Sequence, residues 1–218
     1  MAVITVSRQY GSGGDEIAAR VCELLGYGYF DKKLIARVAS DVGLAEGEAV
    51  DLTEDDYKVR SFVARLLNPS GGTTTQVRSW REDATGTRVA EVKPLDEDQA
   101  VALVRQAIEA AGRQGDILIV GRGGQVVLRD KPGVLHVRIE APTVARVRRV
   151  AESERITPSR AAETVAARDK AAAGYLKRFH DVDWADTSLY HLVINTGKCD
   201  VETAANIIVC AAKSLAAQ

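Results

Sequence analysis

The chain has too few cysteines, and an odd number of them, for a disulfide framework: Cys22, Cys199 and Cys210 are all it carries in 218 residues. Their spacing is not that of a metal site, and so unpaired a set predicts a reducing compartment, hence a cytoplasmic protein. Charge of one sign is also missing. Lys and Arg number 29 against 30 Asp and Glu, a net charge of −1, which leaves no global electrostatic footprint for nucleic acid or for a membrane surface. No apolar run approaches the ~18 residues of a membrane span, and no internal repeat or low-complexity segment stands out. The first strand begins at residue 2, which leaves no room ahead of it for a targeting sequence. What remains is an ordinary globular composition, 46% apolar and 27% charged, in a chain long enough for one substantial core with an inserted subdomain.

A further absence falls inside the most informative stretch. The β-branched run Val3-Ile4-Thr5-Val6 passes through Ser7-Arg8-Gln9-Tyr10 into Gly11-Ser12-Gly13-Gly14, and apolar residues then recur at Ile17, Val21, Leu24 and Leu25 with helical spacing. Strand, glycine turn and helix together make an α/β unit that can hold phosphate, because glycines turn backbone N–H groups inward and the helix N-terminus adds positive charge. The P-loop pattern G-x-x-x-x-G-K-[ST] is matched imperfectly. With Gly13 as the second glycine, Arg8 holds the first glycine position, Gly14 the lysine position and Asp15 the hydroxyl position. Arg8 can replace the missing charge from the loop, while Asp15 would repel a phosphate. A glycine turn that merely joins strand to helix is the alternative.

Taken in order, Tyr29-Phe30-Asp31 ends a short strand in an acid, and helical residues follow at Leu34, Ile35 and Val38. Residues 45–94 change character, with Asn68-Pro69-Ser70-Gly71-Gly72 reading as loop, and are expected to be a mobile inserted flap without sustained periodicity. Asp96 opens an amphipathic helix that Gly112 and Gly115 end. Ile117-Leu118-Ile119-Val120 is a strand buried on both faces, followed by Gly121-Arg122-Gly123-Gly124 at the edge where open α/β sheets bind ligands. Val134 to Ile139 is another strand. Pro142 opens a helix with Val144, Val147 and Ala151 inward. Thr157-Pro158 starts a basic helix to about Phe179 that carries Arg160, Arg168, Lys170, Lys177 and Arg178. Leu192-Val193-Ile194 is the last strand, and Asp200 caps a final helix. Cys22 and Cys210 are read as small core residues, Trp80 and Trp184 as packing residues, and His136, His180 and His191 as structural. Five strands, near 2–6, 28–31, 117–121, 134–139 and 192–195, alternate with helices and predict a parallel sheet covered on both faces.

Four blocks together resemble the cytidylate kinase-like family, a branch of the P-loop nucleoside monophosphate kinases. They are Ser7 to Gly14, Tyr29-Phe30-Asp31-Lys32, Val120-Gly121-Arg122-Gly123, and Asp183-Trp184 through Ser188-Leu189-Tyr190 to Val193-Ile194-Asn195-Thr196. The resemblance implies a three-layer α/β, P-loop NTPase-like fold with a five-stranded parallel sheet in the order 2-3-1-4-5 and helices on both faces. It implies one kinase-like domain over 1–218, with 45–94 as an acceptor-binding flap and 152–182 as a lid. Gly11, Ser12, Gly13, Gly14 and Asp15, with Arg149, Asn195 and Thr196, would then meet ATP. Asp31, Arg122 and Gly123 would meet the acceptor, with glycine standing at 123 where the family's Gly-Arg-Asp turn has an acid. Arg168 and Asp169 match the lid's Arg-Asp pair, Ala172 stands near where a further arginine would be, and Arg8, Arg168 and Asp169 are the catalytic candidates. ATP and Mg²⁺ are the implied cofactors and nucleotides the implied partners. The activity so implied is ATP-dependent phosphoryl transfer to a nucleoside monophosphate or related small acceptor. A nucleotide-binding regulatory or scaffold protein that lost the chemistry is the alternative, and the acceptor and oligomeric state stay open.

Overall fold

The computed structural model describes residues 2–30, 75–82, 88–95 and 97–216. Asp31 and the part of the expected flap before Thr75 lie outside the described residues. In chain order the elements are β1 (Val3–Arg8), α1 (Gly14–Leu25), β2 (Gly28–Tyr29), β3 (Thr75–Glu82), β4 (Arg88–Leu95), α2 (Glu97–Gln114) and β5 (Ile117–Val120). They continue with α3 (Gly124–Val127), β6 (Val134–Glu140), α4 (Thr143–Glu154), α5 (Pro158–His180), β7 (Leu192–Asn195) and α6 (Val201–Ala216). The chain divides into two compact units, Met1–Phe30 with Ala111–Gln218, and Asp31–Ala110 between them.

In the first unit five strands form one parallel sheet in the order β2-β5-β1-β6-β7. Numbered within that sheet alone, this is 2-3-1-4-5, as expected. Val3 pairs with Ile117 on one side and Val134 on the other, so β1 is central. Its β-branched residues suit that place, because a strand between two neighbours buries both faces. Alternation then sorts the side chains. Ile4 and Val6 pack with Ile17, Ala18 and Val21 of α1 and with Ala204, Ala205, Ile208 and Ala212 of α6. Thr5 faces the opposite layer, where the missing Cβ of Gly124 in α3 would meet Thr5 and Ile119 side chains.

Caps follow the local sequence. Gly26 ends α1 in a left-handed conformation (φ 69°) with its N–H on the Cys22 carbonyl. The Thr157 hydroxyl accepts from the Arg160 N–H ahead of Pro158 and starts α5. Asp200 accepts the Thr203 N–H at 2.8 Å and starts α6.

Several expectations are corrected. Thr75–Glu82 and Arg88–Leu95 pair as an antiparallel hairpin in the second unit, with Trp80 opposite Ala90. Charged residues occur at both alternations of each strand (Arg78 and Arg81, Arg88 and Glu91), and the only regular apolar contrast is the short Ala90-Glu91-Val92-Lys93 run. Gly112 lies inside α2, not at its end: a Cβ there would stand 3.0 Å from Leu128 Cδ2, and glycine permits that approach. Val144 is 83% exposed, because α4 turns Arg146 and Val150 inward instead. Cys210 is exposed, since α6 buries Ala204, Ala205, Ile208 and Ala212 on the other side.

Candidate functional site

The turn between β1 and α1 is held from below. The Gln9 N–H donates to the Ile139 carbonyl at 3.0 Å, and Gln9 Oε1 accepts the Ala141 N–H at 3.1 Å. Gly11 and Gly13 both take positive φ, 74° and 81°, which admits side chains only under strain. Gly13 is the N-cap of α1, and no side chain caps the helix. Free N–H groups in the first turn and the helix dipole make this a place for an anion.

Arg8 leaves the end of β1 and crosses that turn. Its Cβ and Cγ lie 2.5 and 2.8 Å from where a Gly14 Cβ would be, and its Nη1 lies 2.9 Å from where a Gly121 Cβ would be. Arg8 Nε donates to Asp15 Oδ1 at 2.9 Å. One guanidinium thus stands between the first glycine turn and the second, half-exposed.

The second turn follows β5. Gly121, Arg122 and Gly123 all have positive φ (70°, 56° and 74°), and the Gly121 N–H is bound to the Val6 carbonyl at 2.9 Å. The left-handed conformation at Arg122 is uncommon for a residue with a side chain. Its guanidinium sits 5.8 Å from the centre of the Phe30 ring. Burial pushes the Tyr175 phenol up to about 12, and the Arg122 charge acts against that rise. His180, the last residue of α5, presents Nε2 at 2.7 Å from where a Gly123 Cβ would be.

Two networks fix the first turn to the layers around it. Arg149 Nη1 donates to the Ser12 carbonyl (3.2 Å) and to Thr196 Oγ1 (2.9 Å), its Nη2 donates to the Thr196 carbonyl (2.7 Å), and Thr196 Oγ1 donates to the Ser12 carbonyl at 2.6 Å. Asn195 uses its Oδ1 on the Gly197 N–H at 2.8 Å. The second network centres on Tyr10. Asp169 Oδ1 accepts the Tyr10 N–H at 2.9 Å, and Asp169 Oδ2 accepts from Arg146 Nη1 at 2.6 Å. Arg146 Nη1 also donates to the Tyr10 carbonyl at 3.1 Å. The Tyr10 hydroxyl reaches Glu154 Oε1 at 2.5 Å, and the Arg168 guanidinium lies 5.1 Å from the Tyr10 ring.

The structure therefore brings Arg8, Gly14 and Asp15 together with the Gly121 turn, and Arg122 and Gly123 together with His180. Ser12, Arg149 and Thr196 form one brace; Asp169 and Arg168 meet the loop through Tyr10. Arg146 is an interior ion-pair partner of Asp169, and Lys170 is exposed. Sequence reasoning missed Tyr10 as a hub and the approach of His180 to Gly123. The tyrosine precedes the loop glycines, a signal within reach. His180 sits 57 positions after Gly123, and only folding joins them. Among the described residues no group of three or more His, Cys, Asp or Glu side chains is arranged to hold a metal, and no helix is long and apolar enough to cross a membrane.

Compared with known proteins, residues 3–198 match the Cytidylate kinase-like family. The chain is similar to a cytidylate kinase of Aeropyrum pernix, 26% identical over 205 residues that cover 94% of this chain and 95% of the relative. It is similar to a cytidylate kinase of Halobacterium salinarum, 25% identical over 208 residues, 95% and 87% of the two chains. A solved structure of an uncharacterized protein from Eubacterium ventriosum shares the fold with a TM-score of 0.60 at 20% identity, over 98% of this chain and 99% of that one.

Proposed function

The chain belongs to the cytidylate kinase-like family, and from that membership we propose that it transfers the γ-phosphate of ATP to a nucleoside monophosphate. The observation that carries the reading is the place of Arg8. Its stem packs over Gly14, where the P-loop pattern has lysine, and its guanidinium stands beside Gly121 and Asp15, close to the uncapped start of α1. The donor phosphates fit the first turn, on the N–H groups of Gly13 and Gly14, with Arg8 alongside. Arg122, at the next strand end, suits the acceptor phosphate, which a planar guanidinium grips in two places.

In the reaction an acceptor phosphate oxygen attacks the γ-phosphorus and the bond to the β-phosphate oxygen breaks, leaving ADP. Such a transfer needs alignment and positive charge more than covalent help. Arg8, set between the two turns, supplies charge where both substrates meet. Arg149, Thr196 and Asp169 act on the protein side, holding the loop in shape through Ser12 and Tyr10.

Family kinases take ATP with a divalent cation. The described residues fit a cation that arrives on the nucleotide: the carboxylates of Asp15 and Glu16 are hard oxygen donors in the first turn of α1. That cation would neutralise phosphate charge, and Asp15 is the residue placed to meet it.

A coupled ADP-release assay across CMP, dCMP, UMP, AMP and GMP tests the proposal. Turnover with one or more of them is expected; ATP hydrolysis independent of every acceptor would sink it. The second reading, a nucleotide-binding regulator without turnover, is favoured by Asp15 at the hydroxyl position. It predicts ATP binding with no ADP release under any acceptor.

A further inference from the structure

We propose that His180 is an acceptor-binding residue, donating a hydrogen bond to the acceptor's phosphate beside Arg122; the inference rests on the kinase reading above. The second glycine turn carries no side chain at 123, and the room beside it is filled from α5. A Cβ on Gly123 would lie 2.7 Å from His180 Nε2, 3.1 Å from Cδ2 and 3.3 Å from Cε1, so the imidazole occupies the direction that any side chain at 123 would take.

The ring is held there by its neighbours. Tyr175 meets it edge-on with centroids 5.6 Å apart, and Phe179 packs on Tyr175 at 5.2 Å. The Arg122 charge is felt by the same Tyr175 phenol. Arg122 and His180 thus approach one turn from two elements, β5's end and α5's end; His180 as a whole is half-buried, with its Nε2 enclosed against Gly123. An imidazole always carries at least one N–H. An ionised carboxylate in that room would only accept hydrogen bonds, whereas an imidazole brings an N–H in either protonation state, with a second, accepting nitrogen when neutral. The group that suits a guanidinium and an imidazole together is an anion with several oxygens, which is the phosphate rather than the base of a nucleoside monophosphate.

The placement also gives α5 a part in acceptor binding. Its middle holds the donor loop through Asp169 and Tyr10, and its last residue stands at the acceptor turn. One helix therefore touches both halves of the site.

The test is isothermal titration of wild type, His180→Ala and His180→Gln with CMP and with cytidine, with ATP affinity and melting temperature as controls. His180→Ala is expected to weaken CMP about ten-fold while cytidine and ATP affinities and the melting temperature hold. His180→Gln, which keeps an N–H donor, is expected to stay within about three-fold of wild type. Unchanged CMP affinity in His180→Ala, in a wild type that binds CMP, overturns this inference alone. So does an equal loss for cytidine, which would place the contact on the base, or a parallel loss of ATP binding and melting temperature, which would make the role structural. A wild type that binds ATP but no monophosphate overturns the acceptor reading and this inference with it.

Discussion

The Cβ that Gly14 lacks would stand 2.5 Å from the Cβ of Arg8. Real side chains do not approach so closely, so positions 8 and 14 cannot both carry one in this backbone. The P-loop pattern solves the same restriction with glycine at the first position and lysine at the second. Here the two are exchanged: the cation grows from the strand end and the glycine opens the helix. The missing lysine and the extra arginine are one feature.

Gly14→Lys alone should therefore lose about 1–3 kcal/mol of stability through overpacking, read as a fall in the urea midpoint. Arg8→Gly alone should fold but bind ATP roughly ten- to a hundred-fold more weakly. Combining Arg8→Gly with Gly14→Lys should recover stability and ATP affinity together. A double variant no better than Gly14→Lys would refute the exchange.

Asp15 restrains the same arginine. The Arg8–Asp15 pair is short at 2.9 Å, yet its side chains are 35% and 64% exposed, so it adds little to stability. Its larger effect is on the anion that would share Arg8. Asp15→Asn should tighten ATP several-fold at low salt when no divalent cation is present, an advantage that shrinks at high salt as screening rises. Equal or weaker ATP binding across that range would instead make Asp15 a helper of the phosphate site.

His136 gives the fold a pH dependence unconnected with nucleotides. Burial first, then the stacked His191 ring 5.2 Å away, push its imidazole down to about 4, against the pull of the Leu128 and Arg129 carbonyls. Thr5 Oγ1 contacts its Nδ1 at 2.7 Å. A histidine whose pKa falls on folding leaves stability intact above its unfolded value near 6.5. Stability then declines as the pH drops toward 4, because the unfolded chain takes the proton first. Up to about 3 kcal/mol is at stake over that window. Urea unfolding at pH 7.5, 6 and 5 should show the decline, and His136→Phe should flatten it; an equal slope in the variant would assign the effect elsewhere.

The sheet was legible because β1, β5 and β7 are apolar, β-branched runs that end in glycine-containing turns, and the caps at Thr157 and Asp200 are local signals that folding left in place. The hairpin at 75–95 was not. A two-stranded ribbon needs no apolar face to keep its register, so its sequence lacks the sustained alternation that marks a half-buried strand. In the site, Arg122 was legible from its turn. The exchange between Arg8 and Gly14 was visible only as two separate departures from a pattern, since contact between them is a fact of backbone approach. Arg146 carries no local signal of its burial, because charge in a helix is usually solvated. Its burial depends on Asp169, 23 positions later.

That ion pair makes Tyr10 the link between the donor loop and α5. Arg146 and Asp169 are 6% and 20% exposed, and both bond the Tyr10 backbone. Removing one partner strands a buried charge, a loss of about 3 kcal/mol, so Asp169→Ala should lower the melting temperature markedly. Asp169→Asn keeps the shape but loses the charge, and it separates coupling from folding. If ATP orders the loop, Tyr10 should pass that order to α5, and amide exchange across residues 158–180 should slow on addition of ATP. In Asp169→Asn the slowing should be confined to the loop and the start of α1. Undiminished protection of α5 in that variant, at saturating ATP, would show that the helix responds to nucleotide by a route that does not pass through Tyr10.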